Sequence, residues 1–209
     1  MNIQRPEKSG HWDLLVIGTS TGGPSALQQL FRSMPEAVKL PVLIVQHMPP
    51  GFTRSLADRL DRDYSWSVKE AEDGEVLHGG TVYVAPGGRQ LEVRRKGNRL
   101  VTAVSESKIG DRYHPSVDIL LASLAELESL SVLAVILTGM GNDGTYGLKK
   151  LKAATALYAV AESEETAVVY GMPRAAVQAG VIDEILPLQA IGERIGRLVQ
   201  ITAYGKGVK

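Results

Sequence analysis

The sequence contains no cysteine. That excludes a disulfide scaffold, a zinc-thiolate centre and a cysteine nucleophile, and it fits a reducing compartment. It also lacks an excess of either charge: Lys+Arg and Asp+Glu both number 23, so a broad basic face for nucleic acid is not expected. Aromatic residues are few, at 5%. No apolar run approaches the roughly 20 residues of a membrane span, and the N-terminal MNIQRPEKSGHWD has no signal-peptide core. What remains is 209 residues, 44% hydrophobic and 22% charged, enough for one domain with a sizeable core. A soluble, cytoplasmic protein is the expectation.

Short apolar runs alternate with helical patterns. Leu14 to Ile17 and Pro41 to His47 read as buried strands, and Ser131 to Leu137 as a third. Pro24 and Ser25 open a helix whose apolar face is Leu27, Leu30, Phe31 and Met34, at i, i+3, i+4 and i+7. Further helices are expected near Phe52 to Leu60, from Pro115 onward and at Ile191 to Val199; short strands are expected at Tyr83 to Pro86 and Leu157 to Ala161. Gln90 to Arg95 and Arg99 to Ser105 flank Lys96-Gly97-Asn98, an antiparallel hairpin signal. Continuously apolar strands separated by helices indicate a parallel sheet covered on both faces. The expected fold is α/β: a three-layer α/β/α sandwich with a mostly parallel sheet plus the hairpin. Residues 1–12 form a polar extension and 13–203 the domain.

Ligands of open parallel sheets sit beyond the carboxyl ends of the strands. Three of those ends carry reactive groups: Ser20 in the turn Gly18-Thr19-Ser20-Thr21-Gly22-Gly23, His47 after the second strand, and Asp143 in Asn142-Asp143-Gly144. Serine, histidine and aspartate are the parts of a nucleophile, general base and orienting carboxylate. Gly18 to Gly22 also satisfies the G-x-S-x-G elbow pattern, in which backbone N–H groups at a helix start stabilise an oxyanion. The order Ser, His, Asp differs from the Ser, Asp, His of ordinary α/β-hydrolases.

Other readings stay open on the residues alone. A strand, a glycine-rich turn and a helix also hold phosphates, although the G-x-G-x-x-G spacing and a Walker lysine are missing. His47 can be a satisfied histidine at a strand end, and Asp143 a turn former. His11 reads as exposed, His78 as a loop residue in Leu77-His78-Gly79-Gly80, and His114 as structural beside Pro115. No histidine pair has metal-ligand spacing, so neither metal nor cofactor is expected. Arg94, Arg95, Lys96 and Arg99 read as a solvated hairpin rather than a docking patch.

At IGTSTGGPSAL (17–27), PVLIVQHMPPGFT (41–53), GGTVYVAPGG (79–88), HPSVDILLAS (114–123), VILTGMGNDGTYGL (135–148) and VVYGMPRAA (168–176), the chain resembles the catalytic domain of CheB-type protein-glutamate methylesterases. The resemblance implies an α/β/α fold and hydrolysis of glutamyl methyl esters on the cytoplasmic helices of chemoreceptors, with deamidation of selected glutamines. It implies a triad of Ser20, His47 and Asp143; the backbone N–H groups of Thr21 and Met140 are the expected oxyanion donors. The expected partner is a methylated receptor, with a separate regulator as a further partner, and the expected state is monomeric. Family members usually carry an N-terminal receiver domain, which is not expected within these 209 residues. Two stretches depart from the family pattern: Tyr113-His114-Pro115 replaces His-Arg-Pro, and Ala161-Glu162-Ser163-Glu164 replaces Ala-Gln-Asp-Glu. Both lie outside the triad and bear on substrate preference. The alternatives are a same-fold esterase in another signalling pathway and a non-catalytic anion- or nucleotide-binding module.

Overall fold

The computed structural model describes residues 11–204. Most of the expected N-terminal extension lies outside them. The chain runs β1 (Leu14–Thr19), α1 (Gly23–Ser33), β2 (Val42–Gln46), α2 (Phe52–Asp63), β3 (Ser67–Glu70), β4 (Thr81–Val84), β5 (Arg89–Lys96) and β6 (Arg99–Glu106). It continues through α3 (Val117–Ala125), β7 (Ser131–Ile136), α4 (Thr145–Ala154), β8 (Ala156–Glu162), α5 (Met172–Gln178), β9 (Glu184–Leu186) and α6 (Leu188–Tyr204).

Seven strands form one sheet in the order β3-β4-β2-β1-β7-β8-β9, with every pairing parallel. β1 and β2 are buried at every position, as expected of a parallel strand covered on both faces. Alternate residues serve opposite layers. Leu15, Ile17, Val42 and Ile44 join α1, α2 and α6 in one core. Leu14, Val16, Leu43 and Val45 join α3, α4 and α5 in the other. The helix stripe read from the sequence behaves accordingly: Leu27, Leu30, Phe31 and Met34 are all buried.

β5 and β6 pair antiparallel as a separate two-stranded sheet rather than extending the main one. Leu91 and Val93 anchor the hairpin on the α3 side, and Val93 N–H donates to Ser123 Oγ of α3 at 3.0 Å. Two strands were not foreseen. β3 and β9 are four and three residues long, at the sheet's two edges. Such short segments have too few residues to develop a periodic signal. The segment expected as a strand at Tyr83 to Pro86 begins earlier, at Thr81.

The topology determines where reactive groups meet. The chain winds outward from β1 to β2 on one side, then returns to lay β7 against its other side. β2, β1 and β7 are therefore neighbours, and their carboxyl ends deliver His47, Ser20 and Asp143 to one edge.

Candidate active site

The turn after β1 is built around glycine. Gly22 caps α1 with φ 85°, in the left-handed region that glycine adopts without steric cost. At Gly23 a Cβ would fall 1.9 Å from Gln46 Oε1 and 2.5 Å from Thr19 Oγ1, so only glycine lets α1 start this close to β2. Ser20 N–H donates to Thr138 O at 3.0 Å, and Ser20 O accepts from Gly23 N–H and from Gln46 Nε2. The serine backbone is thus fixed from three directions and its half-buried side chain is left at the edge. Among the described residues, neither the Thr21 nor the Met140 N–H donates a hydrogen bond, and both residues are exposed.

His47 Nε2 lies 2.7 Å from Asp143 Oδ2. Only 1% of the Asp143 side chain is exposed, against 13% for His47. The same Oδ2 accepts the Val117 N–H at 2.7 Å, while Oδ1 accepts Ser116 Oγ and Asp118 N–H, each at 2.9 Å. Burial by itself pushes the Asp143 carboxyl upward. The bonds from His47 and from the Asp118 and Val117 N–H groups outweigh it and hold the group below its ordinary value. These amides belong to the first turn of α3, whose positive end favours an anion. Asp118 is pushed the other way, by burial first and also by the charge of Asp143.

The structure joins His47 to Asp143 and sets the Ser20 turn at the neighbouring strand end. Of the other histidines, His11 pairs with Asp13 at 3.6 Å near the chain start, and His78 and His114 are exposed. Among the described residues the Ser20 hydroxyl makes no hydrogen bond, so the serine–histidine contact is not closed here. Such contacts commonly tighten only when substrate is bound.

Several supporting residues had no sequence signal. Gln46 Nε2 bridges Ser20 O at 3.0 Å and His47 O at 3.1 Å, tying the serine and histidine backbones together. Its position next to His47 on a buried strand was legible, but its polar role was not. Thr138 receives Ser20 N–H and Thr19 Oγ1 on its carbonyl and sends its hydroxyl to Thr21 O. Its own N–H donates to Glu162 Oε2 at 2.7 Å. Glu162 is fully buried, and burial raises its carboxyl above the ordinary value despite bonds from Thr138 N–H and Thr166 Oγ1. Gln90 of the hairpin holds the loop before α3, donating to Tyr113 O at 2.7 Å and accepting Ser116 N–H at 2.9 Å.

Fold and site together define a parallel α/β protein with a serine, a histidine and a buried aspartate at adjacent strand ends, the constituent set of a serine hydrolase. The family model for CheB methylesterase matches residues 15–195, and the chain belongs to that family. It is 51% identical over 195 residues to a protein of Geobacillus kaustophilus named protein-glutamate methylesterase/protein-glutamine glutaminase, covering 93% of this chain and 55% of that one. A Bacillus subtilis protein of the same name is 45% identical over 198 residues, covering 95% of this chain and 56% of that one. The crystal structure of the Thermotoga maritima CheB methylesterase catalytic domain superimposes with a TM-score of 0.85 at 42% identity, covering 91% of this chain and all of that one. The chain spans about half the length of the curated relatives it matches.

Proposed function

We propose that the chain is a serine-dependent protein-glutamate methylesterase, residues 13–203 forming the catalytic domain. Its substrates are glutamyl methyl esters on the cytoplasmic helices of chemoreceptors, reached in the cytoplasm, and its second reaction is deamidation of selected glutamines. The names of the relatives support the reaction. The observation that carries the reading is the 2.7 Å bond between His47 and a buried Asp143, at the strand ends flanking the Ser20 turn.

Nε2 of His47 faces Asp143, which leaves Nδ1 to take the proton from the Ser20 hydroxyl. Oγ of Ser20 attacks the ester carbonyl as His47 becomes cationic, and Asp143, held anionic by its amide donors, stabilises that cation. The N–H groups of Thr21 and Met140 receive the oxyanion. The proton on Nδ1 passes to the leaving methoxide, releasing methanol. Water, deprotonated by His47, then attacks the acyl-enzyme; the bond to Ser20 Oγ breaks, Oγ takes the proton back from His47, and glutamate is freed. With a glutamine substrate the leaving group is ammonia.

Methanol release from a methylated receptor fragment tests this directly, with Ser20→Ala as control. The expected result is steady turnover by the wild-type protein and loss of it in a variant with unchanged thermal melting. Wild-type turnover in the Ser20→Ala protein, or no release by either, would overturn the reading.

A further inference from the structure

The face of the His47 ring is covered. Tyr113 lies on it with ring centroids 4.4 Å apart and planes 8° from parallel. This is a direct stack between a half-buried tyrosine and the histidine that bonds Asp143. The tyrosine is held from two sides. Its carbonyl accepts from Gln90 Nε2 at 2.7 Å, and Gln90 is itself 97% buried, with its other amide atom fixed on Ser116 N–H. At the far end of the ring, the hydroxyl lies beside Gly141, where a Cβ would come within 2.6 Å of it. Tyr113 therefore spans from the histidine to the loop that carries both Met140 and Asp143.

We infer that Tyr113 is a positioning residue for the esterase reaction: its ring fixes the plane of the His47 imidazole and stabilises the cation that forms when His47 takes the serine proton. The inference rests on the function proposed above and adds a member to its machinery. A hydrogen bond from Nε2 to Asp143 restrains the imidazole along one line but leaves it free to rotate about that line. A flat partner 4.4 Å away removes that freedom. In addition, the negative face of an aromatic ring attracts a cation placed over it, and more strongly where water is partly excluded. The neutral imidazole gains little from that attraction, so the stack favours the intermediate over the resting state, which is the condition for raising kcat.

The charged surroundings are few. Asp143 bonds the ring edge from the loop after β7. Asp118 of α3 stands behind it on the Gly144 and Gly147 amides. The Arg112 guanidinium lies 5.3 Å from the Tyr113 ring centroid, from the same loop. Arg54 is carried on the first turn of α2, beyond His47 in the chain. Tyr113 therefore carries a guanidinium near its ring as well as the imidazole stacked on it.

Tyr113→Phe keeps the ring and Tyr113→Leu removes it, and the two variants separate stacking from bulk. For the leucine variant, kcat for methanol release is expected to fall about fivefold, with KM changed by less than twofold and the protein still folded, its thermal melting lowered by only a few degrees. The acid limb of its kcat/KM profile is expected to move to lower pH by about half a unit. The phenylalanine variant is expected to match the wild type in each. In solution NMR, the His47 ring protons should carry an upfield ring-current shift that the phenylalanine variant keeps and the leucine variant loses. Wild-type kcat and pH profile in the leucine variant would overturn the inference while leaving the esterase reading intact. The same holds if the wild-type protein shows no ring-current shift at His47. Absence of hydrolysis in the wild-type protein would overturn both.

Discussion

Asp118 and Asp143 each sit at the start of the helix that carries or follows the other. Asp143, just ahead of α4, accepts the Val117 and Asp118 N–H groups that open α3. Asp118, in the first turn of α3, accepts the Gly144 and Gly147 N–H groups that open α4. Each carboxylate satisfies amides that a helix leaves without internal partners. The exchange locks α3 to α4 and places the carboxylate that bonds His47. The two groups differ in acidity: bonds from His47 and the α3 amides hold Asp143 low, while burial, and then the charge of Asp143, raise Asp118.

Replacing Asp143 by asparagine tests the low-lying carboxylate. The amide cannot accept from His47 and from two helix N–H groups through both of its ends, since one end now donates. We expect kcat to fall about 10³- to 10⁴-fold, the scale seen when an orienting carboxylate is lost. Thermal melting should fall as well, because amides at the start of α3 lose acceptors. A variant with near wild-type turnover would contradict the role of Asp143.

Asp118→Asn has a different expected outcome. Its Oδ1, which takes both α4 amides, is retained as an acceptor. What disappears is a half-buried charge held near Asp143. Activity should stay within about threefold of wild type, and urea unfolding at neutral pH should show equal or higher stability.

Stability should respond to pH with opposite signs at two buried acids. Glu162 is raised above 4.5 by burial, so the stability linked to its proton is present below 4.5 and is lost as pH rises through the raised value. Asp143 is lowered from 3.8, so its contribution is present above 3.8 and is lost as pH falls through the lowered value. Glu162→Gln mimics the protonated form and still accepts the Thr138 N–H. Urea titrations from pH 4 upward, reported as the difference between variant and wild type, should show the variant gaining relative stability as pH rises above 4.5. A pH-independent difference would show that Glu162 does not titrate in this range.

Gly23→Ala probes the closeness of α1 to β2. The new methyl would meet Gln46 Oε1 at 1.9 Å and force that side chain off the Ser20 and His47 carbonyls. Overpacking of this kind costs about 1–3 kcal/mol. Urea unfolding should report a loss of that size, and turnover should fall more than tenfold because the serine and histidine backbones lose their common tie. The neighbouring exposed Ser25, changed to alanine, should alter stability by less than about 0.5 kcal/mol.

The elements that were legible in the sequence share one property: their signal is carried by consecutive residues. Leu14 to Ile17 announces a strand buried on both faces, and Leu27, Leu30, Phe31 and Met34 announce a helix face, because burial imposes a period on neighbouring positions. The Ser20 turn was legible for a related reason, since tight turns select glycine locally. β3 and β9 were not legible, being too short to show any period.

The sequence by itself therefore determined the layered α/β class, the three strand ends and the identity of the reactive groups at them. It also determined what could not be the nucleophile, since there is no cysteine to serve. Tertiary structure alone decided that β2, β1 and β7 lie side by side, which converts positions 20, 47 and 143 into one edge. It decided that Asp143 sits on the amides of α3, that Gln46 ties Ser20 to His47, and that Tyr113 lies flat on the imidazole. The physical reason is that these contacts join residues dozens of positions apart. Local propensity says nothing about such pairs; they are created when strand order and helix packing bring distant backbone together.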